Sequence, residues 1–418
     1  MNQTKKNILI VGQGAKVSAL AKKLRNNNSV DNIYAAPGLC IETEYCKNID
    51  IREDDITGLL KFALENNIDL TIPVAEKAIA ADIVTFFLTN GQNIFGPALE
   101  AANVTLNKAA GKKLLYKIHA QTSKFGIFDR QQAAEDYLES ANFPVTIKCA
   151  EQEELDDRLV CTTMSLAKEF LLNLTSKNEQ NILIEEFVYG KTFTIYYITD
   201  GYTALPVTAT SDYKFSQDGD CGILTKGVAC YAPDFRISQT IFSRVENIIR
   251  NILTSQDRKG SPYVGILGIE CTLTGEDKFF VNELKPFLQN HDATAVLNLI
   301  DDDLIEIFMS CINGFFSDEY LQIKTNNFSS AAITVSARQH NKVIKGLDNI
   351  QEIENIDFSN IKTTNDGKYL TSKGEVFTLT RMAGTLSRAL ANLYDDLSEI
   401  NFDGIKFRKD IGKTITIQ

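Results

Sequence analysis

The sequence predicts an α/β protein built in more than one structural style, and three observations carry that expectation. Over residues 1–100, short apolar runs alternate with amphipathic stretches and glycine turns. That order belongs to parallel strands joined by crossover helices. After about residue 120, β-rich runs follow one another through turns, which belongs to antiparallel pairing. A chain of 418 residues also exceeds what one core usually holds. The expected domains are a Rossmann-like, doubly wound unit at 1–100, a two-lobed central region at 101–325 with a small lid subdomain at about 120–190, and a small β-rich domain at 326–418.

The elements follow in order. NILIVGQG (7–14) reads as a buried strand ending in a glycine turn, and AKVSALAKKLRNN has helical periodicity. DNIYAAPG (31–38), IDLTIPVA and NIFGP (93–97) supply three more strands; ITGLLKFALENN and EKAIAADIVTFFLTNG supply helices. A ligand is expected at the carboxyl ends of these strands, near Gly12, Gly14, Gly38 and Glu76. A helical link spans 101–120. FPVTIK, a helix near 164–176, NILIEEFVYGKTFTIYYITDG and YTALPVTATSDYK follow. VGILGIECTLTGEDKFFVNELKP is expected as a hairpin turning at residues 274–277. DDDLIEIFMSCING and TLSRALANLYDDLSEI read as helices, and SSAAITVSA and GEVFTLTRMAG as strands.

Charge excludes some functions. With 43 basic against 54 acidic residues, the net charge is −11. A nucleic-acid partner would need a basic face, so none is expected; an anionic substrate would need a local basic pocket. No run of 18 apolar residues is present, so no membrane span is expected. The opening MNQTKKNILIVGQG runs straight into a strand without a signal-peptide core, and the expected location is cytoplasmic. The eight cysteines form no CxxC pair and are expected as scattered thiols.

Four constellations are candidates for chemistry. GQGAKVSAL opens a helix after a glycine turn, where free N–H groups favour phosphate or carboxylate; the alternative is a plain tight turn. EEFVYG (185–190) offers an extended backbone for an adenine edge, or a solvated surface strand. GIECT and VNELKP put Glu270 and Glu283 on adjacent strands, where paired carboxylates suit Mg²⁺; the alternative is an acid paired with Lys285 or Lys148. Of the histidines, His119, expected within a helix, and His340 read as structural or solvated, while His291 in FLQNHD lies beside the possible metal site.

The assembled order resembles the ATP-grasp ligases, and particular strings resemble the phosphoribosylamine–glycine ligase (glycinamide ribonucleotide synthetase) family. These are GQGAKVSALAKKL, IDLTIPVAEKAIAADIV, IFGP, NKAAGKKLL, ILIEEFVYG, the long SDYKFSQDGDCGILTKGVACYAP, and GEVFTLTRMAGTLSRALANLYDDLSEINFDGIKFRKDIG. The resemblance covers essentially the whole chain. It implies an ATP-grasp core and ATP-dependent ligation of glycine to phosphoribosylamine, with ATP and Mg²⁺ (or Mn²⁺) as cofactors, in a monomer or weak homodimer. By match, Lys112 and Lys148 touch ATP phosphates. Glu185, Glu186, Phe187 and Val188 belong to the adenine segment. Glu283, with Glu270, holds metal. Lys214 and Asp220 lie in a loop closing over the reaction centre. Gly12, Gly14, Gly38 and Glu76 form the amine- and phosphate-binding face.

The departures are pronounced. The family's glycine-rich phosphate loop, of the form KADGLAAGKGV, is replaced by KCAEQEELDDRLV (148–160). Lys148 survives; the glycines and second lysine do not. An acidic loop repels phosphates that a glycine loop would cradle. The ribose-holding glutamate is Thr192, the Arg-Glu-His string is Lys16-Val17-Ser18, and in DHKR the His and Arg are Tyr213 and Phe215. In EFNAR the Asn is Lys285 and the Arg is Phe287. Two consequences fit: a rebuilt site, with Lys285 as a fixed catalytic cation and Arg158 reaching the phosphates, or a binding paralogue without turnover. A divergent ligase using another acid and amine is a further alternative.

Overall fold

The computed structural model describes residues 5–151, 158–176, 181–350 and 355–413. The first unit holds a parallel sheet of β1 (Lys6–Gln13), β2 (Val30–Gly38), β3 (Lys47–Asn48) and β4 (Leu70–Pro73) in the order β3-β2-β1-β4. Its helices are α1 (Ala15–Arg25), α2 (Ile56–Glu65), α3 (Glu76–Ala80) and α4 (Ile83–Thr89). Both faces of β1 are buried, Ile8 and Ile10 on one side, Leu9 and Val11 on the other, which explains its unbroken apolar run. Asp55 starts α2 by accepting the Gly58 N–H at 2.9 Å.

Two expectations are corrected here. The single helix expected over EKAIAADIVTFFLTNG breaks at Asp82, a left-handed residue with φ 60° that separates α3 from α4. NIFGP is not a strand; Ile94 forms one isolated bridge to Thr71.

α5 (Leu99–Leu106) and α6 (Lys108–Lys117) lead to a small antiparallel sheet of β5 (Phe125–Phe128), β6 (Val145–Cys149), β7 (Arg158–Cys161) and β8 (Ile182–Glu186), ordered β5-β8-β6-β7. It packs against α7 (Gln131–Leu138) and α8 (Met164–Ser176). α6 ends at Lys117, and His119 lies beyond it at φ 58°, outside the helix in which it was expected.

The main sheet begins with β9 (Lys191–Asp200), β10 (Ala204–Gln217) and β11 (Cys221–Ala232). α9 (Gln239–Asp257) follows, then β12 (Val264–Gly275), β13 (Lys278–Lys285), α10 (Asn290–Val296), α11 (Leu304–Asn313) and α12 (Phe316–Glu319). The last part comprises β14 (Ser329–Ala337), β15 (Ile356–Phe358), β16 (Ile361–Thr363), β17 (Tyr369–Thr371), β18 (Gly374–Ala383), α13 (Leu386–Glu399) and β19 (Ile405–Lys406). Among the described residues the path runs β13-β12-β9-β10-β11-β14-β18-β15. The C-terminal strands thus extend the central sheet through the β11–β14 ladder, Ala229↔Ile333 to Ala232↔Ser330.

The segment expected as a closing loop is the β10–β11 hairpin, tied to the C-terminal segment by Arg408. This guanidinium is 1% exposed and reaches Asp220 at 3.0 Å, Asp410 at 2.6 Å and the Phe215 carbonyl at 2.9 Å. NILIEEFVYGKTFTIYYITDG divides between two sheets, β8 and β9, because the chain turns at Gly190. A Cβ there would lie 2.1 Å from the Leu273 carbonyl oxygen. No helix among the described residues is long and apolar enough to cross a membrane.

Gly227 on β11 is a sharp test of packing at the centre. Its φ is +139°, and a Cβ would meet His291 Cε1 at 2.1 Å. Gly227→Ala should cost about 3 kcal/mol in denaturant unfolding. Adding His291→Ala should recover part of that loss, because it relieves the clash but not the backbone strain.

Candidate functional site

Strand alternation puts Thr194, Asp212, Lys214, Glu270, Glu283 and Lys285 on one face of the main sheet. The register pairs Glu270 with Glu283, Glu270 with Thr194, and Gly268 with Lys285. Gly268 is needed there: a Cβ would crowd Tyr196 at 2.7 Å and the Lys285 Cβ at 3.1 Å.

The ionised groups alternate in sign. Glu185 on β8 lies between Lys112 at 2.6 Å and Lys148 at 2.7 Å. Lys148 approaches Glu283 at 4.0 Å, and Glu283 lies 3.6 Å from Lys214. Lys214 pairs with Glu270 at 2.6 Å, and Glu270 with Lys285 at 3.2 Å. Lys285 ends the row against Asp212 at 3.1 Å and Asp292 at 3.6 Å. Burial alone would push Glu185, Glu283, Lys148 and Lys285 toward their neutral forms, and their partners reverse it. Glu185 is held below the carboxylate range by Lys112 and Lys148 against its burial. Glu283 is held well below it, against its burial, by Lys214, Lys148, Arg158 and Lys108. Burial disfavours the Lys148 and Lys285 ammoniums, yet the facing carboxylates raise both.

The expected residues fall into place unevenly. Lys112 turns its ammonium to Glu185, to Thr122 at 2.5 Å, and to Ser123 and the Val281 carbonyl, each at 3.4 Å. It supports Glu185. Lys148 pairs with Glu185 and lines a cavity with Arg158, Phe187, Val188 and Glu283. Glu185, expected at adenine, is buried in the ion pairs instead. Glu186 lies 3.5 Å from Lys124, and the Phe187 N–H donates to the Pro144 carbonyl at 3.1 Å. That leaves the Phe187 side chain and Val188 facing the cavity. Asp220 is held at a hairpin turn by Lys191 at 2.6 Å and Arg408 at 3.0 Å, so its role is to anchor the hairpin.

The glycine turn also differs from expectation. The Lys16 N–H donates to the Asn290 side chain at 3.2 Å, and the Val17 and Ser18 N–H groups donate to the Gly14 carbonyl. Asn290 therefore stands where an anion was expected at the start of α1. Gly12 makes room for Val74, whose Cγ2 would lie 2.9 Å from a Cβ. Gly38 accommodates Asn48, which brackets Leu39 with two 2.8 Å hydrogen bonds. Glu76 lines an open cleft with Lys16, Lys226 and Gln289. Its Oε1 lies 3.8 Å from Lys226, and its buried Oε2 has no hydrogen-bond partner among the described residues. Lys16 sits 4.1 Å over the Phe287 ring.

The acidic stretch at 152–157 lies outside the described residues. Its flanks show where it departs. Glu151 accepts from Asn107 at 3.0 Å and Asn181 at 3.2 Å, and Arg158 pairs in register with Lys148. Arg158 lines two adjoining cavities with Glu283. Glu76 and Lys226 line one of these and the open cleft. One groove thus runs from Lys16 to Val188.

Sequence reasoning missed Asp212, Asp292 and Asn282. Asp292, 0% exposed, accepts from Tyr196 Oη, and its Oδ1 lies 3.4 Å from His291 Nε2. Asp212 belongs to the quoted SDYK, and its alternation with Lys214 on a strand was the available signal.

A Rossmann-like unit, a small antiparallel lobe, and a sheet carrying facing glutamates define an ATP-grasp protein. Three family models match in succession: the phosphoribosylglycinamide synthetase N domain at 6–105, its ATP-grasp (A) domain at 106–285 and its C domain at 336–414. The chain belongs to the phosphoribosylglycinamide synthetase family. It is 27% identical to the phosphoribosylamine–glycine ligase of Clostridium acetobutylicum, covering 97% of this chain and 99% of that protein. It is 28% identical to the enzyme of the same name from Caldanaerobacter subterraneus, with the same coverage. The fold matches a crystal structure of phosphoribosylamine–glycine ligase from Thermotoga maritima with TM-score 0.80 at 18% identity, covering 97% of this chain and 99% of that one. A biotin carboxylase from Campylobacter jejuni matches with TM-score 0.70 at 15% identity, covering 96% and 93%.

Lys148→Met tests the ion row. It leaves buried Glu185 with one ammonium, so stability at pH 7 should fall by about 3 kcal/mol. In the native protein Glu185 titrates below its unfolded value and stabilises above it. The variant loses that depression, so its deficit should hold from neutrality down to the ordinary carboxylate range and shrink as pH falls through and below that range. Denaturant unfolding at both ends of that window reads the change.

Proposed function

We propose that the protein is an ATP-dependent carboxylate–amine ligase that joins glycine to phosphoribosylamine in purine biosynthesis. The observation that carries this reading is the run of adjoining cavities, with the alternating ammonium–carboxylate row at one end and, at the other, Glu76 Oε2, which has no hydrogen-bond partner among the described residues. Family membership supports the choice of substrates, and the relatives named above bear that activity in their names.

ATP would lie along the small lobe, adenine against Phe187 and Val188, phosphates toward Lys148 and Arg158. A glycine carboxylate oxygen attacks the γ-phosphorus; the bond to the β–γ bridging oxygen breaks, and ADP leaves. The amine of phosphoribosylamine then attacks the carbonyl carbon of the acyl phosphate. Inorganic phosphate departs, the amine loses a proton, and glycinamide ribonucleotide forms. The chain's work is to align the reactants and offset charge as the phosphoryl group moves. Lys214 stands beside Glu283, facing the developing charge. Glu76 Oε2 offers an acceptor for the amine or a sugar hydroxyl.

Glu283 fits a divalent cation: it faces the groove and has no N–H donor within hydrogen-bond reach among the described residues. Glu283 would hold Mg²⁺ or Mn²⁺, which would supply positive charge to offset that of the phosphates. A cytoplasmic location and a monomeric or weakly dimeric state belong to the same proposal.

Purified protein given ATP, Mg²⁺, glycine and freshly made phosphoribosylamine should release ADP only when glycine is present. Glu283→Ala should lower that rate by about 100-fold or more. Glycine-independent ADP release, or none from a protein that binds ATP, would contradict the reading.

Lys16 provides a pH test. Burial lowers its ammonium to about 8, against raising contributions from Glu76, Glu53 and Glu375; Lys226 lowers it further. Lys16 is therefore charged below pH 8 and loses its charge above it. The KM for the anionic amine substrate should rise through that pH, and Lys16→Arg should flatten the rise.

A further inference from the structure

Glu270 and Glu283 are Cα partners across the β12–β13 hairpin, a placement in which two carboxylates could share divalent cations. Their surroundings differ. One Glu270 oxygen has Lys214 Nζ at 2.6 Å and Lys285 Nζ at 3.2 Å, and the other accepts from Asn282 Nδ2 at 3.2 Å. Its residue is 4% exposed. Every close neighbour of that carboxylate is a nitrogen donor. Glu283 has cations at 3.6 and 4.0 Å, beyond hydrogen-bond distance, and its side chain is 18% exposed to the groove. Glu283 thus fits a metal ion; Glu270 does not.

We propose that Lys214 and Lys285, clamped on Glu270, stand in place of a second divalent cation, so that the site works with a single ion held by Glu283. The inference rests on the nucleotide reading above and corrects the expectation that Glu270 is a ligand. A second ion at Glu270 would have to displace two ammoniums in a nearly dry environment, where like charges repel most strongly. Lys285 is built in. Gly268 clears space for its stem, and Asp212 and Asp292 hold its ammonium from the far side at 3.1 and 3.6 Å. Both lysines act as positioning residues: the fold holds them on Glu270, whereas a metal comes and goes with the nucleotide.

The test counts ions rather than turnover. Mn²⁺ is titrated into the full-length protein with saturating ADP, and free Mn²⁺ is read by electron paramagnetic resonance. One ion per chain is expected. Glu283→Gln should remove it, and Glu270→Gln should leave it bound within about threefold of its affinity, since a carboxylate that is not a ligand acts only through charge. Should Glu270→Gln fail to fold, Lys214→Met serves instead: with one of the two ammoniums gone the count should rise above one, and a count that stays at one would overturn the inference. Two ions per wild-type chain, or loss of the ion in Glu270→Gln, would overturn the inference while leaving the ligase reading intact. Binding of neither ADP nor Mn²⁺ would sink both.

Discussion

The alternating row of ammonium and carboxylate groups from Lys112 to Asp292 is the constraint on which the rest depends. Buried ions are costly singly, and a buried pair often only breaks even against apolar packing. Here Glu185 and Glu270 each have two lysines within 3.2 Å, so neither is left with an uncompensated charge. The row crosses four parts of the molecule: α6, the small lobe through β6 and β8, the main sheet through β10, β12 and β13, and α10 through Asp292. Moving any one of these parts separates an ammonium from its carboxylate. The geometry of the groove is therefore fixed by the same interactions that give it its charge.

That arrangement also bears on the loss of the family's glycine-rich phosphate string from the sequence. The cations do not come from residues 152–157. They come from strands: Lys148 on β6, Arg158 at the start of β7, Lys214 on β10 and Lys285 at the end of β13. A loop closes over phosphates with backbone N–H groups that must first be ordered; strand lysines are already in place. The C-terminal part serves the same scaffold. β14 extends the sheet beside β11, and Arg408 holds the β10–β11 hairpin that carries Lys214.

Much of this was legible in the sequence, for definite reasons. The strand and helix of the first glycine turn show in their burial periods, and the β12–β13 hairpin shows in its turn residues. The family resemblance is borne out over the chain. Where the reading failed, the deciding contact was distant in sequence. Nothing local shows that Asn290 satisfies the Lys16 N–H, or that Glu185 turns inward to Lys112 and Lys148. The break at Asp82 is a single backbone dihedral inside an otherwise helical pattern. That β14 joins the central sheet depends on a ladder to residues a hundred positions away, which makes the last segment less separate than its composition suggests. Lys285 reads in the sequence as a fixed cation, but its partners Asp212, Asp292 and Glu270 are distant in the chain and show only in the fold.

The most direct measurement is positional isotope exchange in ATP carrying a heavy-oxygen label in the β–γ bridge, with Mg²⁺ and glycine but no amine acceptor. If the strand-borne cations support phosphoryl transfer, reversible formation of glycyl phosphate will move the label from the bridge to the outer β-oxygens, and omission of glycine will stop it. A protein that binds ATP and glycine yet leaves the label in the bridge would contradict the account and mark the groove as a binding site alone.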